Sequence, residues 1–573
     1  MSSNPSLLGP SAAIAAQKVY AVARHPAPLD LYLDANEGGR PPPALLAALG
    51  GKDTDELRRY PRPAALEAAL ARHYGVKQEE LCLTCGVDDA LDRACRALLD
   101  PSREVVLPWP TFEMLPRYIA WSGAKLVEVD WPEGPYPLAA VEAAVTPRTA
   151  AIFVVSPNNP TGAVATGAEL AALSRAAPHA MLLVDLAYAE FADEDLTRAA
   201  LALPNAIAFR TLSKAWGLAG LRVGVALGRP EHIGWLRTAG HPFGVSSASI
   251  AIALARLEMG DAGLADYVAR VRVERTALAA LLRELGAHAP ASQGNFVLCR
   301  PRDPLWLRDG LAGLGIGVRA WPGNPKLGAL ARVTCPGDPA TYARLEAALR
   351  AVLRPEAVLF DMDGVLADVS QSYRRAIVET AASFGVALSA EDVARGKAAG
   401  GANNDWELTR RLCAERGVEA PLAEVMKRFE RLYQGTADAP GLWRAEPLIP
   451  TRALCERLAR RVKLGIVTGR PRADAERFLA THGVRELFGA LVCMEDGPLK
   501  PDPAPVRTAL DELGVTSAWL VGDTPDDVAA ARAAGVVPVG FAGHGDATTQ
   551  AALGRAGAAV VLESLDRLEG LLA

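Results

Sequence analysis

The sequence of 573 residues predicts an α/β protein with two separate parallel sheets. The first observation is a recurring pattern of short β-branched runs, each followed by a stretch with helical spacing. The second is that polar residues follow the ends of these runs, where ligand crevices lie in open α/β sheets. The third is length, because a chain of this size exceeds what one hydrophobic core normally organises.

The composition favours a globular, soluble protein. Apolar residues make up 50% and charged residues 22% of the chain, and the net charge of −5 gives no basic field for nucleic acid. The longest apolar runs, such as Met181 to Val184 and Val358 to Phe360, are far too short to span a membrane. Residues 1–17 lack the basic start of a secretory signal. We therefore expect a cytoplasmic protein without nucleic-acid or membrane partners.

The eight cysteines are scattered and do not form a disulfide framework. Cys82 and Cys85 have C-x-x-C spacing, but their strand-like run has no second cysteine pair and no histidine cluster nearby. We interpret them as buried small hydrophobic residues.

Two series of predicted strands divide the chain. The first series contains Ala150 to Ser156, Met181 to Asp185 and Ala206 to Leu212. The second series contains Ala357 to Phe360, Val462 to Val467 and Ala518 to Val521. An apparent helix from Leu345 to Pro355 lies between them, so we predict a first domain at residues 1–352 and a second at 353–573.

Polar clusters in the first series indicate a cradle for an aldehyde cofactor. Lys214 follows a buried strand, where it can form a Schiff base, and Arg222 is expected two helical turns further on as a phosphate ligand. Asp185 ends another strand and suits a protonated pyridine nitrogen, with the phenol of Tyr188 close behind. Asn159 follows a third strand.

Two further motifs complete this predicted cradle. Gly86-Val87-Asp88 is a strand-to-helix turn whose free backbone N–H groups suit a phosphate. Phe112 is the natural candidate to stack on the cofactor ring.

At these residues the chain resembles the fold-type I aminotransferases, and within them the histidinol-phosphate aminotransferases most closely. The resemblance implies pyridoxal 5′-phosphate, with a large domain at about 45–240 and a small domain from 1–44 and 241–352. It implies that Lys214 is the Schiff-base lysine, that Asp185 pairs with the ring nitrogen, and that Asn159 and Tyr188 bond the ring oxygen. The phosphate ligands implied are Val87, Asp88, Thr211, Ser213, Arg222 and, from the partner subunit of a homodimer, Tyr60.

The same resemblance suggests substrate residues. Arg332 matches the family's substrate-anion arginine, Arg319 a second arginine near the substrate phosphate, and Tyr20 a phosphate-binding tyrosine, while Leu33-Asp34-Ala35-Asn36-Glu37 also matches. Two guanidinium groups suit a dianion. Arg319 as a surface arginine at a strand end is the alternative, and the substrate is then another amino or oxo acid.

The second series carries the parts of a phosphoryl-transfer site. Phe360-Asp361-Met362-Asp363 ends a buried strand in two carboxylates, which are costly to bury without a cation or a chemical role. Later motifs add the hydroxyl of Thr468, the ammonium of Lys500 and the carboxylates of Asp523 and Asp527. Such a reaction needs a nucleophile, a divalent cation and positive charge around the phosphoryl group.

These motifs resemble the haloacid dehalogenase superfamily of Rossmann-like phosphatases, and the helical segment at about 370–446 resembles the cap of the phosphoglycolate-phosphatase-like subfamily. The resemblance implies that Asp361 is the nucleophile, that Asp363 is the acid and base, and that Thr468 and Lys500 hold the phosphoryl group. It implies that Mg²⁺ is bound by Asp361, Asp523 and the carbonyl of Asp363, with Asp527 in support. Gly400 to Trp406 faces the substrate or forms a plain interhelical turn.

Together the two halves suggest consecutive reactions in histidine biosynthesis: transamination that forms histidinol phosphate, then its hydrolysis. One alternative is a phosphatase for an unrelated small phosphate ester. Another is a C-terminal module that senses a phosphometabolite without turning it over.

Overall fold

The structure is a computed structural model that describes residues 9–22, 24–50, 54–261, 263–401, 404–543 and 546–572. The described residues form two compact units. Unit 1 contains residues from 1–23, 33–301 and 319–343, and unit 2 contains residues from 24–32, 302–318 and 344–573.

A seven-stranded sheet forms the centre of unit 1. Its strands are, in spatial order, Leu81–Thr84, Gly224–Gly228, Ala206–Thr211, Met181–Asp185, Thr149–Val155, Glu104–Trp109 and Lys125–Asp130. Gly224–Gly228 runs antiparallel to both of its neighbours, and the other pairings are parallel. The central strands are almost entirely buried and are apolar except near their ends, as expected for a parallel sheet covered on both faces.

Unit 1 also contains helices. They are Ala12–Ala15, Ala47–Gly50, Asp55–Arg58, Ala64–Tyr74, Gly86–Leu98, Leu115–Ser122, Leu138–Ala143, Gly167–Ala176, Thr197–Leu201, Pro230–Thr238, Ser247–Glu258 and Leu264–Glu284. Short 3₁₀ turns occur at Pro43–Leu46, Gln78–Glu80, Ala189–Phe191 and Ala219–Leu221. Gly86–Leu98 buries Ala90, Leu91 and Ala94 at one helical face against the sheet, which fixes the direction of its N-terminus.

A smaller antiparallel pairing in unit 1 joins Phe296–Cys299 to Ala331–Thr334. Arg319 lies directly opposite Arg332 in the register of the next pairing. Two strands, Leu31–Leu33 and Ile316–Ala320, contain residues of both units.

Unit 2 contains a six-stranded sheet in which all pairings are parallel. Its spatial order is Ala490–Val492, Lys463–Val467, Ala357–Phe360, Ala518–Gly522, Val537–Phe541 and Val560–Leu562. The helices around it are Arg452–Ala459, Arg472–Thr481, Ala504–Leu513, Pro525–Ala534, Ala547–Ala556 and Arg567–Leu571, with 3₁₀ turns at Arg485–Leu487 and Met494–Asp496.

Four helices form the insertion between the first two sequential strands of this sheet. They are Tyr373–Ser383, Ala390–Ala398, Asp405–Glu415 and Leu422–Gln434, followed by the short strands Gly435–Thr436 and Ala439–Pro440 and the 3₁₀ turn Leu442–Ala445. The chain leaving the sheet and the chain returning to it are hydrogen-bonded, because Asp368 N donates to Pro447 O and Ile449 N donates to Leu366 O. We call this four-helix insertion the cap.

Two further segments pack within unit 2. Helix Pro304–Gly313 carries Trp306, whose indole N–H donates to Val352 O (3.1 Å) and whose ring meets Trp519 edge-on at 4.9 Å. The Trp519 indole N–H donates to Ala351 O (2.8 Å), near the end of helix Pro339–Leu353. Trp519 is fully buried, so these helices supply part of the core of unit 2.

The predicted strands are confirmed to within a residue or two at their ends. The helix expected from Leu345 begins earlier, at Pro339, since proline is favoured in a first helical turn. The expectation of two helical turns between Lys214 and Arg222 is wrong, because only the 3₁₀ turn Ala219–Leu221 occurs there. In the described part of the chain, no helix has both the length and the apolar character that crossing a bilayer requires.

Candidate active sites

The first candidate site lies at the carboxyl edge of the seven-stranded sheet. Asp185 is the last residue of its strand, and Lys214 follows the end of the neighbouring strand Ala206–Thr211. Burial raises the pKa of Asp185 to about 7, while the nearby ammonium of Lys214 acts in the opposite direction. A buried carboxylate of this kind requires a positive partner, which a protonated ring nitrogen would supply.

Lys214 is held against the segment that contains Ala35. Its ammonium donates to Ala35 O (3.0 Å) and lies 5.6 Å from the centre of the Tyr188 ring. The segment approaches so closely that a Cβ on Gly38 would overlap the carbonyl oxygen of Lys214. The close approach explains why glycine follows Glu37 in this chain.

The predicted phosphate ligands gather at the start of helix Gly86–Leu98. Asp88 accepts a hydrogen bond from Arg222 (2.8 Å), whose guanidinium lies where a Cβ on Gly86 would be. Thr211 Oγ1 donates to Ser213 Oγ (3.0 Å). Val87 lies in the first helical turn, where backbone N–H groups have no intrahelical acceptor. Hydroxyls, a guanidinium and a helix N-terminus together fit a phosphate dianion.

Three further residues are predicted to contact the cofactor ring, and the structure gives each of them a defined neighbour. Tyr188 Oη accepts a hydrogen bond from Asn36 Nδ2 (3.0 Å), and Asn159 Oδ1 accepts one from Arg332. Phe112 packs against the core cluster beside Leu115. The donor set fits pyridoxal phosphate: Asp185 for its nitrogen, Lys214 for its aldehyde and the Arg222 group for its phosphate.

Both predicted substrate arginines are buried. Arg332 donates to Asp34 O (2.7 Å), and Arg319 donates to Glu113 (2.7 Å). Arg319 is 5% exposed, so its interpretation as a surface arginine is wrong. Tyr20 lies in the field of both arginines and of Glu113, and burial raises its pKa.

Each arginine keeps one buried nitrogen without a hydrogen-bond partner among the described residues: Nη1 of Arg319 and Nε of Arg332. Glu113 is a charged residue of this site that sequence reasoning missed. Its signal was weak, because only the long-range contact with Arg319 distinguishes it from an ordinary loop glutamate.

Tyr60, predicted to serve the partner's site, is 74% exposed. It stacks on Phe243 with ring centres 4.4 Å apart. The single chain therefore shows Tyr60 at a surface and not within its own cradle.

The second candidate site lies at the carboxyl edge of the six-stranded sheet. Asp361 directly follows strand Ala357–Phe360 and accepts a hydrogen bond from Lys500 Nζ (2.7 Å). Lys500 also pairs with Asp527 (2.5 Å) and donates to Val467 O (2.9 Å). This fully buried ammonium lies beside the predicted nucleophile, where the phosphoryl group is expected.

Asp361, Asp523 and Asp527 form a candidate metal site, since each offers an oxygen and these oxygens lie within 4.8 Å of one another. Burial and mutual repulsion of these carboxylates raise the pKa of Asp361 to about 8 and that of Asp523 to about 6. A divalent cation would offset this repulsion, and carboxylate oxygens are the ligands that Mg²⁺ prefers. Asp527 is already held by Thr524 Oγ1 (2.7 Å) and Lys500, which suits a supporting role.

The Asp363 carboxylate lies outside this cluster, because its side chain pairs with Arg470. The sequence alone predicts no role for Arg470. Thr468, two residues earlier, accepts a hydrogen bond from the Arg470 N–H (3.1 Å), so the two are held in one turn after strand Lys463–Val467.

The Gly400 to Trp406 segment contains Ala402 and Asn403, which lie outside the described residues. Gly401 N donates to Asp526 Oδ1 (3.1 Å), three residues after Asp523. Asn404 caps the next cap helix, and Asp405 forms a buried ion pair with Lys397 (3.1 Å). The segment thus reaches the metal end of the site and also forms a helix start. Whether it faces a substrate stays a prediction.

Comparison with known proteins gives the class. The family model described as aminotransferase class I and II matches residues 30–349, more than half of the chain. The chain belongs to this family, and the model described as haloacid dehalogenase-like hydrolase matches residues 355–535. The two resemblances are confirmed at this level: a fold-type I aminotransferase is fused to a haloacid dehalogenase-like hydrolase domain.

Individual proteins and solved structures are similar to parts of this chain. An aromatic amino acid aminotransferase of Thermobifida fusca is 36% identical over 301 residues, which is 51% of this chain and 83% of that protein. An imidazoleglycerol-phosphate dehydratase of Phytophthora nicotianae is 48% identical over 193 residues. The matched residues are 32% of this chain and 43% of that protein. The histidinol-phosphate aminotransferase of Sinorhizobium meliloti, solved with pyridoxal-5′-phosphate, aligns at a TM-score of 0.55 with 26% identity, covering 61% of this chain and 99% of that one.

Proposed function

We propose that the chain catalyses two consecutive reactions on one small molecule. The first is transamination between glutamate and imidazole acetol phosphate, which yields histidinol phosphate and 2-oxoglutarate. The second is Mg²⁺-dependent hydrolysis of histidinol phosphate to histidinol and phosphate. We also propose that the enzyme is a cytoplasmic homodimer.

The opposed pair Arg319 and Arg332 carries the first part of this proposal. Both are at least 94% buried, and each keeps one N–H nitrogen without a protein acceptor among the described residues. Leaving such donors unsatisfied is costly, so an anionic ligand is the natural acceptor. A substrate that carries a phosphate offers enough oxygens for Arg319 and for the hydroxyl of Tyr20.

When bound, pyridoxal phosphate would supply the carbonyl for amine exchange and an electron-accepting ring. Asp185 would keep the ring nitrogen protonated, and Asn159 and Tyr188 would bind the ring oxygen. Val87, Asp88, Thr211, Ser213 and Arg222 would hold the phosphate, with Tyr60 contributed by the second subunit, and Phe112 would cover the ring. Lys214 would hold the aldehyde in the resting enzyme and carry the proton between the reacting carbons.

In the second reaction a carboxylate oxygen of Asp361 attacks phosphorus, and the bond from phosphorus to the ester oxygen breaks. The leaving oxygen takes a proton from Asp363. Asp363 then takes a proton from a water molecule whose oxygen attacks the aspartyl phosphate, which releases inorganic phosphate and restores Asp361. Lys500 and Thr468 would hold the phosphoryl oxygens. Asp361 and Asp523 would hold Mg²⁺, which would offset the negative charge of the reacting groups.

A second candidate for the first reaction is supported by a separate observation. Glu113 pairs with Arg319, and the Arg332 guanidinium lies 5.3 Å from the Phe296 ring centre and 6.0 Å from that of Trp321. Aromatic walls and a partly neutralised arginine suit an aromatic amino acid without a phosphate. The relatives named aromatic amino acid aminotransferases favour the same substrate class. In that case the phosphatase acts on an unrelated phosphate ester or senses one.

A coupled assay tests the proposal. Full-length protein with pyridoxal phosphate, Mg²⁺, glutamate and imidazole acetol phosphate should form 2-oxoglutarate and inorganic phosphate in succession. Lys214→Ala should abolish only the first product when histidinol phosphate is supplied separately, and Asp361→Asn only the second. The exposed residues Lys77 and Asp511 provide the controls Lys77→Ala and Asp511→Asn, which should keep both activities.

Amination without phosphate release from the product would overturn the pairing. Amination of aromatic oxo acids in place of imidazole acetol phosphate would establish the second candidate. If the protein releases phosphate from none of the esters tested with Mg²⁺, the C-terminal part is not a phosphatase, and the phosphometabolite-sensing module is the alternative that remains.

A further inference from the structure

Arg470 is a buried cation that joins two carboxylates of unit 2. Its Nε donates to Asp363 Oδ1, and its Nη1 donates to Glu446 Oε2 (2.9 Å). The Arg470 side chain has no exposed surface, and Glu446 is 5% exposed. Charges buried to this extent persist only when they are paired, so Arg470, Asp363 and Glu446 form one charge cluster.

The guanidinium of Arg470 has little freedom to move. The rings of Tyr373 and Phe478 lie 4.8 and 5.4 Å from it. The backbone around it is also fixed, because Arg470 N donates to Thr468 Oγ1 and Met494 N donates to Arg470 O, both at 3.1 Å. A rigid, forked donor of this kind sets the direction of the carboxylate it binds.

Glu446 connects this charge cluster to the segment that returns from the cap. It lies where the chain returns from the cap to the sheet, next to Pro447, whose carbonyl is bonded to Asp368 N (3.0 Å). Its own carbonyl oxygen lies 2.9 Å from His482 Nε2. The acid of the proposed reaction is thus tied, through one arginine, to the segment that carries the cap.

We infer that Arg470 is a positioning residue that holds Asp363 with one carboxylate oxygen, Oδ2, directed to the leaving group, and that Glu446 anchors Arg470 for this purpose. The inference rests on the proposed role of Asp363 as the proton donor to the ester oxygen. Because Glu446 balances the positive charge of Arg470, Asp363 can carry a proton on Oδ2 while its Oδ1 accepts the hydrogen bond from Arg470. That proton moves to the leaving oxygen as the bond from phosphorus to this oxygen breaks. Without Arg470 the Asp363 side chain is free to rotate, and this proton transfer is lost first.

Two esters with different leaving groups can show whether Arg470 positions the acid Asp363 or only supports the fold. An alkyl phosphate needs a proton donor when its oxygen departs, whereas 2,4-dinitrophenyl phosphate departs as a stable anion. The experiment uses the full-length protein with Mg²⁺ and compares histidinol phosphate, which is an alkyl ester, with 2,4-dinitrophenyl phosphate. It measures release of histidinol and of the phenol in the first turnover. First-turnover release excludes the later hydrolysis step, in which Asp363 acts as a base.

We expect Arg470→Met to slow alkyl ester cleavage by about 100-fold or more, within the usual range for loss of a general acid. Cleavage of the dinitrophenyl ester should fall by less than about tenfold, with KM little changed because Arg470 does not touch the substrate. Arg470→Lys should restore part of the alkyl rate. The nearby Arg472 is 43% exposed, and Arg472→Met is the matched control that should change neither rate.

Arg470→Met leaves Glu446 and Asp363 buried without their partner, so a second variant is needed if it does not fold. Glu446→Gln keeps the shape and leaves no charge unpaired. It should reduce the alkyl rate several-fold and leave the dinitrophenyl rate unchanged. Equal losses for both esters, or no loss for either, would overturn the inference. If the unmodified protein cleaves neither ester, the proposed phosphatase function fails instead.

Discussion

Asp185 provides a test in which stability and cofactor binding must change together. Its carboxyl is buried at the end of a central strand, and burial raises its pKa from about 3.8 to about 7 in the protein without cofactor. The unfolded chain releases this proton near pH 4, whereas the folded chain holds it until about pH 7. Stability is therefore lost as the pH rises between these two values.

The expected magnitude follows from the two pKa values. Above pH 7 the ionised Asp185 costs about 4 kcal/mol of unfolding free energy, with 1.36 kcal/mol for each tenfold change in proton affinity. Asp185→Asn has nearly the same shape and no charge. For a unit of this size we expect the variant to melt on the order of 5 °C higher than the natural protein at pH 8. At pH 5, only about one pH unit above the ordinary pKa of a carboxyl, the difference should shrink to less than half of its value at pH 8.

Adding pyridoxal phosphate should reverse this order. A protonated ring nitrogen gives the natural carboxylate a partner, so the natural protein should gain more in melting temperature than Asp185→Asn. Transamination by the variant should fall by about 100-fold or more, the usual cost of removing one electrostatic contact at a reacting group.

Thermal unfolding at pH 5 and pH 8, with and without the cofactor, measures all four states. Asp130→Asn, at the exposed end of another strand of the same sheet, is the matched control. A variant that is less stable than the natural protein at pH 8 without cofactor would refute the reasoning.

Two further outcomes are expected. Chelation of Mg²⁺ by EDTA should stop phosphate release and leave transamination intact. Asp523→Asn should need at least about tenfold more Mg²⁺ for half-maximal rate of phosphate release, because it removes a candidate ligand. Retention of full phosphatase activity in EDTA would refute the metal assignment. Trp306→Ala should destabilise unit 2 by about 3–5 kcal/mol in chemical denaturation, because it removes a buried ring that contacts Trp519. Trp235→Ala, at a residue that is 36% exposed, should cost far less, and equal losses would contradict the packing argument.

The two sheets and the edge that carries each site could be predicted because the signal is local. Asp185 ends an apolar strand and Asp361 directly follows another, and a buried strand that stops at a carboxylate is visible without any contact information. Parallel strands place these ends at one edge, which brings Lys500 to Asp361 across 139 residues of sequence.

The partners that adjust the charge of each site could not be predicted in the same way. Glu113 and Arg319 are 206 residues apart, and Arg470 and Asp363 are 107 apart. Which arginine pairs with which carboxylate depends on side-chain packing between distant elements, and a single sequence contains no record of that packing. Arg470 had a partial signal, because a charged residue just past an apolar strand must find a partner if it is buried.

Trp306 also has a consequence for this fusion. The aminotransferase family match ends at residue 349, yet the helix that carries Trp306 lies within unit 2, which contains the six-stranded sheet. A gene cut at the family boundary would separate Trp519 from the surface that shields it from water. Separating the two parts at this boundary would expose the apolar surface around Trp519 to water, so the contact favours keeping both parts in one chain.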